Sequence, residues 1–139
     1  MRILLADAHC CVRDMLSACC LMMGDLVEAV YSASNPSEAV YRATALDVDV
    51  VVIEIAPSVG RPLLGGVAAI RTLRNIGFTG RIVSVSSPAY EHLAVAARDA
   101  GSSVHLCKPF LLEDFMRSLS AGPAWLRRTS SYPRTRCAP

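Results

Sequence analysis

Residues 49–57 read Asp-Val-Val-Val-Ile-Glu-Ile-Ala-Pro, and the apolar run from Val50 to Ile53 does not alternate with polar residues before it ends on an acid. β-Branched residues favour strands, and a strand without alternation is covered on both faces, as in the middle of a parallel sheet. Open α/β sheets carry their sites at the C-terminal ends of the strands. Glu54 would stand at such an end, either as a working carboxylate or as a strand-end acid in water.

The rest of the chain supplies the partners that this strand needs. Arg2 to Ala6 reads as a first strand, and Cys10 to Met23 as a helix with Val12, Met15, Leu16 and Cys19 at helical spacing and Gly24 as its stop. Leu26 to Tyr31 is the second strand. Asn35-Pro36 has the form of an N-cap followed by proline at the first helical position, with Ala39, Val40, Ala43 and Leu46 as the buried stripe. A loop from Ala56 to Gly65, with Pro57, Gly60 and Pro62, leads to a helix over Gly66 to Ile76. Arg81 to Ser86 is the fourth strand, Pro88 to Asp99 a helix, Ser103 to Leu106 the fifth strand and Leu112 to Ser120 the last helix. Five alternations of strand and helix imply a parallel sheet with helices on both faces and right-handed crossovers.

The chain has 139 residues, the size of one domain, and can bury a full core without covalent staples. Its net charge is +2, but residues 122–139 hold Arg127, Arg128, Arg134 and Arg136 and no acid. Setting those four aside leaves the first 121 residues at −2, so the folded part is not a basic nucleic-acid binder and only the tail has that character. Residues 1–121 are expected to form the domain and 122–139 a basic, flexible extension. Cys10, Cys11, Cys19, Cys20, Cys107 and Cys137 have no zinc-ligand spacing. With no leader expected ahead of the first strand, they read as reduced thiols of a cytoplasmic protein. Cys10 and Cys107 fall near strand ends, where a redox role is the alternative to inert burial. No apolar run reaches the roughly 18–20 residues of a membrane span, and no membrane contact is expected.

Polar residues gather at the C-terminal strand ends: Asp7 after the first strand, Glu54 at the third, Ser86 and Ser87 after the fourth, Lys108 after the fifth. Lys108 is the only lysine among fourteen basic residues. In so arginine-biased a chain, its place beside Pro109 points to a need for a compact ammonium.

This ordered set resembles the receiver domain of bacterial two-component response regulators over about residues 2–120. Leu4-Leu5-Ala6-Asp7-Ala8-His9, with Val12-Arg13 and Leu16, resembles the opening motif, most closely in the subfamily that bears helix-turn-helix output domains. Residues 49–54 resemble the phosphoacceptor strand, Val83 to Ser87 the strand ending in the Ser/Thr switch, and Ala100-Gly101 through Lys108-Pro109 the Lys-Pro ending, with its cis link. The resemblance implies a doubly wound, five-stranded parallel sheet of flavodoxin-like type, strand order 2-1-3-4-5. It also implies a role in signal transduction rather than catalysis.

The departures carry information of their own. The resemblance places Glu54 where the family has an aspartate acceptor, Ala8 where it has a second metal-binding acid, and His105 at the switch aromatic. Gly65-Gly66 stands where Asp-Gly is expected, after a longer loop. Phosphoryl acceptance needs an in-line carboxylate, a divalent cation, and a lysine and hydroxyl to hold the product oxygens. Ala8 offers no side-chain oxygen, and Glu54 is one methylene too long, where a shift of about 1 Å costs on the order of a hundredfold. No cofactor is expected. Any metal would bind weakly, as magnesium held by Asp7 and Glu54.

The expected reading is therefore a degenerate receiver, not an enzyme, with a pseudo-active site of Asp7, Ala8, Glu54, Ser86 and Lys108. Glu54 would pair with Lys108, and Ser86 and His105 would stand at the switch. Its output would be contact with a protein partner or a second copy through the face of the fourth helix, fifth strand and fifth helix, which would carry Tyr90, His92, Arg98, His105, Glu113 and Arg117. The alternative is a phosphorelay regulator that still accepts phosphate or binds metal weakly, controlling transcription through a DNA-contacting 122–139 tail or a lost output domain.

Overall fold

The structure, a computed structural model, describes residues 1–56 and 65–120. Most of the loop expected after the third strand, with Pro57, Gly60 and Pro62, and the extension at 122–139 lie outside the described residues. Five strands, β1 (Arg2–Ala6), β2 (Ala29–Ala33), β3 (Val50–Glu54), β4 (Arg81–Ser86) and β5 (Val104–Cys107), form one parallel sheet of order β2-β1-β3-β4-β5. The helices between and after them are α1 (Cys10–Leu21), α2 (Pro36–Ala45), α3 (Gly66–Asn75), α4 (Ala94–Asp99) and α5 (Leu112–Leu119). The fold class and strand order expected from the sequence are the ones observed.

The unalternated run on β3 is buried on both faces, as its composition requires. Val51, Ile53 and Ile55 pack with Leu4, Ile70, Leu73, Ile82 and Ala97 in the layer under α2, α3 and α4. Val50 and Val52 pack with Ile3, Leu5, Leu16, Val83, Phe115 and Leu119 under α1 and α5. Side chains alternate along each strand, so parity assigns every strand residue to one of these two layers.

Several boundaries differ from those read in the sequence. α1 stops at Leu21, because Gly24 (φ 59°) turns the chain into a 3-10 turn over Gly24–Leu26. Leu26 therefore lies in that turn rather than in β2, and the strand runs later, over Ala29–Ala33. The segment from Pro88 to Asp99 is two pieces. Pro88–Leu93 winds as a 3-10 helix, a form frequent at helix starts, and only Ala94–Asp99 is α-helical. β5 is shifted one residue, its register with β4 set by Val83 opposite Val104 and Ser86 opposite Cys107. α2 starts as expected: Asn35 caps it, its side-chain oxygen accepting from the Glu38 amide at 2.8 Å, with Pro36 in the first turn. The Lys108-Pro109 peptide is cis.

One buttress was not visible in the sequence. Arg74 on α3 donates to the carbonyl oxygens of Phe78, Gly80 and Gly101 at 2.7–3.0 Å, tying together the turns that lead into β4 and β5.

Candidate functional site

The site is assembled by parity at the carboxyl edge of the sheet. Asp7 follows β1 in the register of Ile3 and Leu5, Glu54 ends β3 in that of Val50 and Val52, and Lys108 follows β5 in that of Val104 and Leu106. All three thus fall on the α1/α5 side of the sheet's carboxyl edge, β1 and β3 being neighbours and β5 lying beyond β4. The Lys108 Nζ donates to Asp7 Oδ2 and to Glu54 Oε1, each at 2.9 Å. One ammonium bridges two carboxylates from two strands, and the cluster keeps a net charge of −1. Asp7 is buried, at 5% exposure, while Glu54 and Lys108 are partly covered.

The other oxygen of Asp7 is held locally. Asp7 Oδ1 accepts from the His9 amide at 2.8 Å and lies 3.1 Å from His9 Nδ1. The Asp7 carbonyl accepts from the Arg13 guanidinium at 2.7 Å, fixing the turn that opens α1. Burial would raise the Asp7 carboxyl, but the His9 amide and the Lys108 ammonium outweigh it and hold it below the ordinary aspartate value. Burial likewise opposes the charge on Lys108, and its bonds to Asp7 and Glu54 overcome that, raising it above the usual lysine range. The two directions agree: each partner stabilises the charged form of the other.

Ala8 is exposed and adds no side-chain donor to the cleft. Among the described residues, Asp7, His9 and Glu54 form a group whose ligand atoms lie within 4.8 Å of one another. Magnesium takes octahedral oxygen coordination. Here one donor is an imidazole nitrogen, and Lys108 already holds one oxygen of each carboxylate, so this set fits magnesium poorly.

Ser86 and His105 belong to the opposite layer. Ser84 and Ser86 alternate on β4 in the register of Ile82, and Ser84 pairs with His105 across to β5. The His105 ring lies between the two hydroxyls, Nδ1 2.9 Å from Ser84 Oγ and Nε2 3.1 Å from Ser86 Oγ. Ser102 Oγ continues the chain to Ser84 Oγ at 2.9 Å. A neutral imidazole offers one donor and one acceptor, which suits two hydroxyls that can each do either. Burial, assisted by Arg98 and opposed by Glu91, lowers the His105 value below that of a free histidine. The Ser86 hydroxyl, fully buried, is thus bonded to His105 on the far side of the sheet from the Lys108 cluster.

Of the surface residues singled out in the sequence, His92, Arg98 and Glu113 are exposed and Tyr90 is half-buried. Arg117, also half-buried, donates to Asp114 at 2.9 Å. His105 is half-buried too, with its ring nitrogens engaged by the serines. Cys10 is exposed and Cys107 half-buried. His9 and Arg13 were read only as part of the opening motif and not as site residues, and Ser84 and Ser102 were given no role. Ser84 had a signal, its two-residue spacing from Ser86; Ser102 had none, because its contact depends on the turn into β5.

No family model matches the chain. It is 29% identical over 122 residues to the nitrate/nitrite response regulator protein NarL of Escherichia coli (strain K12). The match covers 88% of this chain and 54% of that protein, so the chain spans about half the length of the curated relatives it matches. The receiver domain of NtrX from Brucella abortus superposes with a TM-score of 0.73 at 20% identity, over 86% of this chain and 99% of that one. The response regulator domain of Thermotoga maritima CheB superposes with a TM-score of 0.70 at 24% identity, over 88% and 98%. No helix among the described residues is long and apolar enough to cross a membrane. The fold of this chain is that of a response-regulator receiver domain.

Proposed function

We propose that the chain is a receiver of two-component signalling that works without acyl-phosphate chemistry, in the cytoplasm, through contacts made by α4, β5 and α5. One observation carries the reading: the Lys108 ammonium sits 2.9 Å from both Asp7 and Glu54. In a phosphorylated site a lysine holds an oxygen of the incoming phosphoryl group; here the longer Glu54 side chain reaches it directly. The cleft then carries its own fixed charge pattern, with the Ser86 hydroxyl committed to His105. The partner on the α4-β5-α5 face is a protein or a second copy of the chain. Likeness to a nitrate/nitrite response regulator supports a setting in transcriptional control.

Two defects oppose phosphorylation, the length of Glu54 and the missing oxygen at Ala8. Repairing one should not suffice. Incubated with a small phosphodonor and magnesium, Glu54→Asp should keep its intact mass, and the double variant Ala8→Asp/Glu54→Asp should gain one phosphoryl group. A stable gain in the single variant overturns this account of the cleft.

A further inference from the structure

The outer face of α1 is apolar and unpartnered among the described residues. Met15, Leu21 and Met22 on α1 and its C-cap, with Leu26 in the following turn, are 54–69% exposed. They are four of the nine large hydrophobic side chains exposed in the described structure, gathered on α1 and the turn that follows it. The acids Asp14, Asp25 and Glu28 are exposed along the same stretch. A monomer seldom leaves such a grouping bare without a partner for it.

The chain carries a segment of complementary chemistry. Residues 121–139 hold Trp125, Leu126 and four arginines and no acid. They begin where α5 ends, and α5 packs beside α1: Phe115 and Leu119 share a core cluster with Leu16, Cys20 and Met23. Both helices follow parallel strands on one face of the sheet, so their C-termini lie at the same end. Neighbouring helices are separated by about 8–10 Å. Five residues from Ser120 to Trp125 span up to roughly 17 Å. The indole can therefore reach the C-terminal half of α1.

We propose that residues 121–139 dock on the outer face of α1, with Trp125 and Leu126 covering Met22 and Leu26 and the arginines facing Asp14, Asp25 and Glu28. Burying an indole against a methionine and a leucine supplies the apolar contact, and the charges set its direction. The contact is independent of the cleft and of whether the cleft accepts phosphate.

Trp125 is the only tryptophan in the sequence, so its fluorescence reads this contact without interference. In the full chain its emission should be blue-shifted from that of the urea-unfolded chain, shielded from acrylamide and independent of protein concentration. Met22→Glu/Leu26→Glu changes exposed positions and should leave the urea midpoint nearly unchanged. It should return the emission to that of the unfolded chain and raise acrylamide quenching several-fold, whereas Met22→Leu should keep the shielding. Raised salt should weaken the shielding in part. Unfolded-like emission in the unaltered chain overturns the proposal. So does shielding that survives the double variant, shielding that appears only with rising concentration (a second copy on this face), or shielding that appears only when duplex DNA is added.

Discussion

Lys108 is the residue on which the cleft depends most. Lys108→Met would leave the buried Asp7 and the partly covered Glu54 facing each other with no cation between them. Leaving a covered charged group without its partner costs about 1–3 kcal/mol, which urea unfolding at neutral pH should show. Adding Glu54→Gln should recover part of that loss, since one of the two repelling charges is gone. His105 makes a different forecast. Its folded value lies below the ordinary histidine value of about 6.5, so folding favours the neutral ring. The stability this contributes is complete above the ordinary value and is lost as pH falls from there through the folded value. The urea midpoint should therefore decline over that window, and His105→Gln should flatten the decline. Asp7 acts lower on the scale. Its folded value is depressed, so its contribution is present above the ordinary aspartate value and disappears as pH falls through the folded one.

At the scale of elements, α3 approaches the backbone that carries Glu54 closely at Gly66. Gly66 opens α3 directly against the end of β3. A Cβ there would run into the Glu54 carbonyl oxygen and lie 2.9 Å from Ile55 Cα, both backbone atoms that cannot swing aside. Gly66→Ala should push α3 from the strand, cost about 1–3 kcal/mol by overpacking, and shift the amide resonances of Glu54 and Ile55. This is also the scale at which the sequence was most legible. The unalternated β3 run, the Asn35-Pro36 cap and the alternation of strand with helix each have one physical reading, and the structure has those elements. Boundaries were less legible where the local signal was ambiguous. Leu26 looked like a strand residue by type, yet the left-handed Gly24 places it in a turn. Pro88 marks a helical start, but nothing in the composition of 88–93 separates a 3-10 winding from an α one. The ring of His105 was unreadable for another reason. Strand parity puts it beside Ser84, but only the packed structure puts both its nitrogens on hydroxyls.

At the scale of the whole molecule, the parallel sheet collects acids, hydroxyls and an ammonium at one edge from strand ends far apart in the chain, with Asp7 and Lys108 separated by 101 positions. Parity then sorts them. Asp7, Glu54 and Lys108 meet on the α1/α5 side, while Ser84, Ser86 and His105 meet on the α4 side. A receiver that joins these two sets through a phosphoryl group would need the Ser86 hydroxyl and the Lys108 ammonium to turn to one ligand. Here each is held by side chains of the protein itself, and the proposal of a fixed output surface rests on that. The most direct test is the intact mass of the unaltered chain after incubation with a small phosphodonor and magnesium. The mass should be unchanged; a stable gain of one phosphoryl group, lost on Glu54→Gln, would contradict the account.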